Sequence, residues 1–299
     1  MNMIAIDIGN TNIAVGLYVD DQEQYVRTVP GAAEDARRRI GDLLVEGWNR
    51  FPLVAGSKEH KRDGLIVASS VKDAWMEMVR EVCREKLGEK IKVIGRDVPL
   101  PIEMGVEDAA AVGTDRVVNA AAAFAVIEDA CVVASFGTAV TIDLVDEQGV
   151  FLGGVIAPGF EMGASALHAG TAQLPKVTVA APRDPVGGNT TEAINAGLFY
   201  SAVGLLRTMT EMYAEQLGKW PHTIVTGGGA GLLKGHCDFV DSWVDNLTVR
   251  GVVLAYKKHL ADRAQMEEAG MREGGRAIGG EDEDSGTDEE MDTNMDDSR

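Results

Sequence analysis

Apolar residues come in short runs at the start of the chain and at helical spacing soon afterwards. Residues 3–8 form an apolar run broken by one acid, Asp7, and Gly9, Asn10, Thr11 and Asn12 close it, the pattern of a strand that ends in a tight turn. Residues 13–19 and 24–29 read as further strands, so the opening is an antiparallel meander ended by Pro30 and Gly31. In 32–48 the apolar positions Ile40, Leu43, Leu44 and Trp48 have the spacing of an amphipathic helix, which 71–87 repeats through Trp75, Met78, Val79, Val82 and Cys83. A loop over 51–64 and a short buried strand over 65–69 lie between them, and 90–94 is another strand. Strands followed by alternating helices and strands predict an α/β fold, a mixed sheet flanked by helices.

The pattern then starts again. Residues 132–136 read as a strand, Gly137-Thr138-Ala139 as a turn, 140–145 as a returning strand and 149–156 as a third. Two domains of similar topology, each offering a hairpin to a shared cleft, would explain the echo, and coincidence between two hairpins is the bland alternative. Before the repeat, Gly113-Thr114-Asp115-Arg116 leads into an Ala-rich helix with Thr114 as its expected cap. After it come a helix over 160–173 carrying His168, read as a packing or surface residue, and a long helix from Asn189-Thr190-Thr191-Glu192 to about 217. Thr190 is either that helix's cap or a hydroxyl turned to the cleft. A strand over 222–226 delivers Gly227-Gly228-Gly229, and a closing helix spans 247–265.

Candidate chemistry sits at the turns. A carboxylate at a strand end beside a glycine turn can hold a hydrated magnesium ion, and the turn's N–H groups and the Thr11 hydroxyl can bind phosphate oxygens, although an ordinary hairpin has the same look. Asp115 at a helix start is commonly electrostatic decoration, worth roughly 0.3–1 kcal/mol. The adjacent Arg116 adds the alternative of a base beside an anion clamp.

Charge and cysteine content narrow the classes. The 299 residues carry a net charge of −19, but 281–299 hold ten acidic residues and one Arg, which leaves −10 for the rest. Such a body is a poor nucleic-acid partner, and 269–299 is expected to be a disordered acidic tail. Cys83, Cys131 and Cys237 lie far apart without metal spacing, no basic-then-apolar signal opens the chain, and no apolar run approaches the roughly 20 residues of a membrane span. A cytoplasmic protein, with no membrane contact, is expected.

Taken together and in order, these motifs give the chain a resemblance to the type III pantothenate kinases of the actin-like kinase superfamily. Asp7-Ile8-Gly9-Asn10-Thr11-Asn12 resembles the first phosphate motif, Gly113-Thr114-Asp115-Arg116 the substrate and base motif, and Phe136-Gly137-Thr138-Ala139 the second phosphate motif. Gly153–Gly159, Leu174-Pro175 and Thr190 with Glu192 and Ala193 match later segments. The resemblance implies two actin-like (ribonuclease H-like) domains, over 1–128 and 129–268, with a cleft between them. It implies ATP-dependent phosphorylation of pantothenate to 4′-phosphopantothenate, the first step toward coenzyme A. Asp115 would be the base, with Gly113, Thr114, Arg116 and Thr190 also on the substrate, Arg116 holding its carboxylate. Asp7, Ile8, Gly9, Asn10, Thr11, Asn12, Ile13 and Ala14, with Gly137, Thr138, Gly228 and Gly229, would bind ATP, and Asp7 would hold Mg2+ through water. It further implies a homodimer.

Two departures stand out. Ser135 occupies the place of an Asp that binds a monovalent cation, K+ or NH4+, in the family, and a neutral hydroxyl is a poorer ligand, so weak cation dependence is expected. An aromatic residue common upstream of the Gly113 motif is absent, Val106 lying near its place. A nucleotide-binding regulatory accessory factor with little turnover, or another small-molecule kinase of the superfamily, are the alternatives.

Overall fold

The computed structural model describes residues 1–56 and 61–277. Met1–His259 is one compact unit. The opening meander is β1 (Met3–Ile8), β2 (Asn12–Val19) and β3 (Gln22–Pro30). The helix α1 (Ala36–Trp48), the strand β4 (Leu65–Ser70), the helix α2 (Asp73–Leu87) and the strand β5 (Ile91–Val93) follow. They build a five-stranded sheet in the order β3-β2-β1-β4-β5, antiparallel among the first three strands and parallel from β1 to β5. β1 is a central strand with Met3, Ile4, Ala5, Ile6 and Ile8 buried, which is why its apolar run does not alternate. Ile40, Leu44 and Trp48 of α1 and Met76, Val79, Val82 and Cys83 of α2 cover one face of this sheet, the stripe their spacing predicts.

A two-residue strand β6 (Glu103–Met104) and a 3-10 turn (Ala109–Ala111) precede the helix α3 (Thr114–Ile127). The second sheet takes β7 (Cys131–Phe136), β8 (Ala139–Val145), β9 (Val150–Pro158), β10 (His222–Thr226) and β11 (Ser242–Trp243). Its order, β11-β10-β7-β8-β9-β6, contains the order of the first sheet with β6 added at the edge, and the senses of pairing match strand for strand. The echo between the two hairpins is therefore a repeat of topology. In it, Ser135 of β7 stands where Asp7 of β1 stands, two residues before the turn glycine.

The helices α4 (Phe160–Ala169), α5 (Thr190–Leu217) and the short α6 (Ala230–Leu233) contribute Phe160, Ala164, Ile194, Phe199, Leu206 and Leu233 to the second core. The closing helix α7 (Leu247–Ala277) crosses back: Val249, Val252, Val253 and Tyr256 pack with Met3, Ala5 and Val67 of the first sheet and with Val118 of α3. The expected boundary at 128/129 is the passage from α3 to the second sheet. Because α3 and α7 share cores across that passage, both sheets belong to one compact unit.

From Leu260 the chain is a second unit, helical through Ala277 with an Arg263–Glu267 ion pair one turn apart. The helix thus runs past the 265 expected for it and into the segment expected to be disordered, since residues 265–269 read Gln-Met-Glu-Glu-Ala, all good helix formers. The rest of the expected tail, 278–299, lies outside the described residues.

Candidate active site

The two turns meet. Gly9 N–H donates to the Asn12 carbonyl at 3.0 Å, and Gly137 N–H donates to the Ala139 carbonyl, also at 3.0 Å, so each hairpin is closed by a bond from its glycine, to the third residue on in the first turn and to the second in the other. At the tips, Thr11 Oγ1 and Thr138 Oγ1 are 2.7 Å apart, and both residues are exposed. Two hydroxyls from turns 127 residues apart thus line one point. That is how phosphate oxygens are cradled when the site lacks a Lys of its own on the loop.

Asp7, at the end of β1, has one carboxylate oxygen, Oδ1, that is buried and takes no hydrogen bond in the protein. Burial first, and the nearby charge of Asp115 second, push its pKa up to about 7. A buried carboxylate oxygen with no donor is poised for a cation, so Asp7 fits a hydrated magnesium ion. Among the described residues there is no group of three or more His, Cys, Asp or Glu side chains arranged to hold a metal.

Asp115 lies in the first turn of α3. Burial raises its pKa, opposed by the Arg116 N–H that donates to its Oδ1 at 2.9 Å and by the Arg116 charge. Thr114 does not cap the helix as expected. Gly113 is the N-cap, and the Thr114 hydroxyl donates to the Ser70 carbonyl at 3.1 Å and lies 2.9 Å from Ser69 Oγ. Those bonds tie the start of α3 to the end of β4, beside β1, and this brings Asp115 toward Asp7. Gly113 leaves room for the carboxylate, since a Cβ there would stand 2.6 Å from Asp115 Oδ1.

Arg116 is already engaged. Its Nε donates to both oxygens of Asp143 at 3.1 and 3.2 Å, and its Nη2 also bonds to Asp143 Oδ1. Asp143 is 2% exposed, and burial holds its pKa up at about 6 although Arg116 pulls the other way. Sequence reasoning missed this residue; its one signal is an acid inside the apolar run of β8. Its neighbour across the ladder is Gly154, where a Cβ would collide with the Ile142 carbonyl at 2.1 Å and with Asp143 Oδ1 at 2.6 Å.

The remaining expected residues scatter in role. Ile8 and Ile13 are core residues of the first sheet, and Ala14 is opposite Asp7 in the ladder. Gly229 N–H donates to the Phe136 carbonyl at 2.8 Å, and Gly227, with φ +97°, is pressed against the same residue, so the glycine triplet packs beside the Gly137 turn. Gly228 faces open space, with nothing within 4 Å of the Cβ it lacks. Thr190 is not the cap of α5: Asn189 Oδ1 accepts from the Glu192 N–H at 3.0 Å, and Glu192 Oε2 accepts from the Gly188 N–H at 2.8 Å. Thr190 instead lines an apolar groove of about 820 Å3 beside Val140 and Pro158, next to the second turn. Ser135 is flanked in register by Thr141 and Thr226, so its ladder neighbours bring no carboxylate. Val106 packs partly buried near Gly153. His168 Nδ1 lies 2.8 Å from the Leu174 carbonyl, a structural bond on the surface.

Two sheets of one topology that meet through paired Gly-Thr turns, with carboxylates at the ends of neighbouring elements, define a phosphotransferase of the actin-like kind. The type III pantothenate kinase family profile matches residues 3–212. A type III pantothenate kinase from Rhodospirillum rubrum is 34% identical over 262 residues, covering 87% of this chain and 100% of its own length. One from Syntrophotalea carbinolica is 33% identical over 260 residues, 86% of this chain and 99% of that one. A solved structure of a conserved Campylobacter jejuni protein assigned to the Baf family of transcriptional activators superposes with a TM-score of 0.53 at 20% identity, over 86% of this chain and 98% of its own; at that identity the likeness is one of fold. The chain belongs to the type III pantothenate kinase family, which phosphorylates pantothenate on the way to coenzyme A.

Proposed function

We propose that this chain transfers the terminal phosphoryl group of ATP to the primary hydroxyl of pantothenate, giving 4′-phosphopantothenate. The observation that carries the reading is the meeting of Thr11 and Thr138 at 2.7 Å beside Asp7 and Asp115, since phosphoryl transfer asks above all for positioning and for neutralisation of charge. The turn residues Gly9, Asn10, Thr11, Gly137 and Thr138 hold the phosphates, and Gly228 and Gly229 give the nucleotide a surface without side chains. Asp115 accepts the hydroxyl proton as the new P–O bond forms, and burial, by raising its pKa, makes it a stronger base than an exposed Asp. Asp7 holds magnesium through water; when bound, that ion offsets the charge of the phosphates. Arg116, oriented by Asp143, meets the pantothenate carboxylate, and Thr190 contacts the substrate from the groove side.

Activity depends weakly on K+ or NH4+, because Ser135 and its neighbours Thr141 and Thr226 offer hydroxyls only. The chain works as a homodimer through the face that carries the apolar groove. It works in the cytoplasm; no described helix is long and apolar enough to cross a membrane.

A coupled assay of ADP release with pantothenate and MgATP, with the product identified by mass, tests the reaction. ATP binding without pantothenate-dependent turnover would defeat it in favour of a nucleotide-binding regulator, a role that no observation on this chain favours.

A further inference from the structure

β1 and β4 run parallel with Ile8 opposite Ser70, so the segments that follow them leave the sheet side by side. Val71 N–H donates to the Ile8 carbonyl at 3.0 Å, and the Ser70 hydroxyl accepts from Lys72 N–H at 3.2 Å, which fixes the backbone of Lys72 next to the first turn. From there the Lys72 ammonium donates to the Asn10 carbonyl at 3.3 Å and stands 3.5 Å from the centre of the Trp75 ring. The ring is itself fixed: it packs against Gly31, where a Cβ would meet it at 2.3 Å, and Gly31 N–H donates to the Thr11 carbonyl at 2.9 Å. Lys72, Trp75, Gly31 and the turn are thus one packed cluster, and the ammonium is held at the lip of the turn instead of swinging in solvent.

The charge around the turns makes that placement consequential. Both turns offer neutral donors, the adjoining carboxylates are Asp7 and Asp115, and Arg116 is paired with Asp143 and assigned to the pantothenate carboxylate. A triphosphate entering there adds several negative charges. We infer that Lys72 is a further nucleotide-binding residue, whose ammonium, with one donor on Asn10 and two to spare, bonds the terminal phosphates of ATP. The inference rests on the turns being the phosphate site, and it names a side chain that no motif marks. It is a contact with the polyphosphate and not with the base, so it discriminates triphosphate from nucleoside.

Calorimetric titration of the full chain with MgATP and, separately, with adenosine decides it without relying on turnover. Lys72→Met keeps the aliphatic stem on Trp75 and removes the charge. Its dissociation constant for MgATP should rise about 5–20-fold, the worth of one charge-assisted bond, with adenosine binding unchanged and a shallower dependence on salt. Lys72→Arg should recover most of the loss. Unchanged MgATP affinity in Lys72→Met overturns the inference, and so does an equal loss for adenosine, which would mark a structural role. If the unmodified chain binds MgATP yet does not phosphorylate pantothenate, the proposed reaction falls while the titration still decides on Lys72. If it binds no MgATP, both fall.

Discussion

Asp7 and Asp115 come from different elements yet sit near enough for the charge of one to raise the pKa of the other, and burial disfavours ionisation of both. In the magnesium-free chain this has a pH signature with a definite sign. The folded pKa of Asp7, about 7, lies above its ordinary value of 3.8, so its contribution to stability is fully present below pH 3.8 and is lost as pH rises through 7. Asp7→Asn should flatten the fall of melting temperature between those limits, and a profile identical to that of the unmodified chain would remove Asp7 from its buried, uncompensated position. Asp115→Asn should retain MgATP binding and lose turnover by roughly 10²–10⁴, the usual worth of a positioned base. In the unmodified chain the acid limb of kcat/KM should lie above the ordinary carboxylate range, because burial raises the pKa of Asp115 and a base acts only when deprotonated. Near-normal turnover in the Asn variant would end its role. Both residues were legible in sequence, since each stands two residues from a glycine at the end of an element, where chemistry is commonly placed. Asp143 was not: it is one acid within an apolar strand, and only sheet register shows that Arg116, 27 residues earlier, ends beside it.

At the scale of elements, the hairpins and helix order were readable because each has its own period and its own punctuation by glycine. The starts of helices were read less well. Thr114 and Thr190 have the right chemistry for caps, but tertiary partners took the first and Asn189, one residue earlier, served in place of the second. What no local pattern can show is how closely β8 and β9 approach at Gly154. Adding one methyl there drives a Cβ into the Ile142 carbonyl and the Asp143 carboxylate, so the two strands must separate or Asp143 must leave Arg116. Gly154→Ala should therefore destabilise the fold by about 1–3 kcal/mol, the range for overpacking, and raise the KM for pantothenate more than that for ATP. Urea unfolding and steady-state kinetics on the same preparation would check it; a fully stable variant with unchanged constants would show that the Asp143–Arg116 pair is not tied to this ladder.

At the scale of the whole molecule, the α4 side of the second sheet is apolar and uncovered. α4 has only Phe160 and Ala164 buried, while Met162 and Leu167 are exposed. Leu167, with Leu198 and Leu205 of α5, lines the groove of about 820 Å3 that also reaches Thr190. Large adjoining apolar side chains left to water are costly in a monomer and commonly mark an interface. A sequence reader sees α4 as apolar on most of its faces but cannot tell a second core from a second subunit. A second copy is the occupant that the proposed homodimer requires, and a stable one would bury on the order of 1,200–2,000 Å2. The position of Thr190 then couples assembly to substrate: if the partner helps to shape the groove, breaking the interface must affect pantothenate before it affects ATP. Met162→Glu with Leu167→Glu alters two exposed side chains and leaves the core intact, so the variant should fold, sediment as a monomer, bind MgATP with unchanged affinity and show a pantothenate KM raised at least about tenfold, as expected when apolar contacts worth ~1.4 kcal/mol or more are lost. A chain that sediments as a monomer before any substitution, at concentrations where it is fully active, would refute the dimer and leave the groove to the substrate alone.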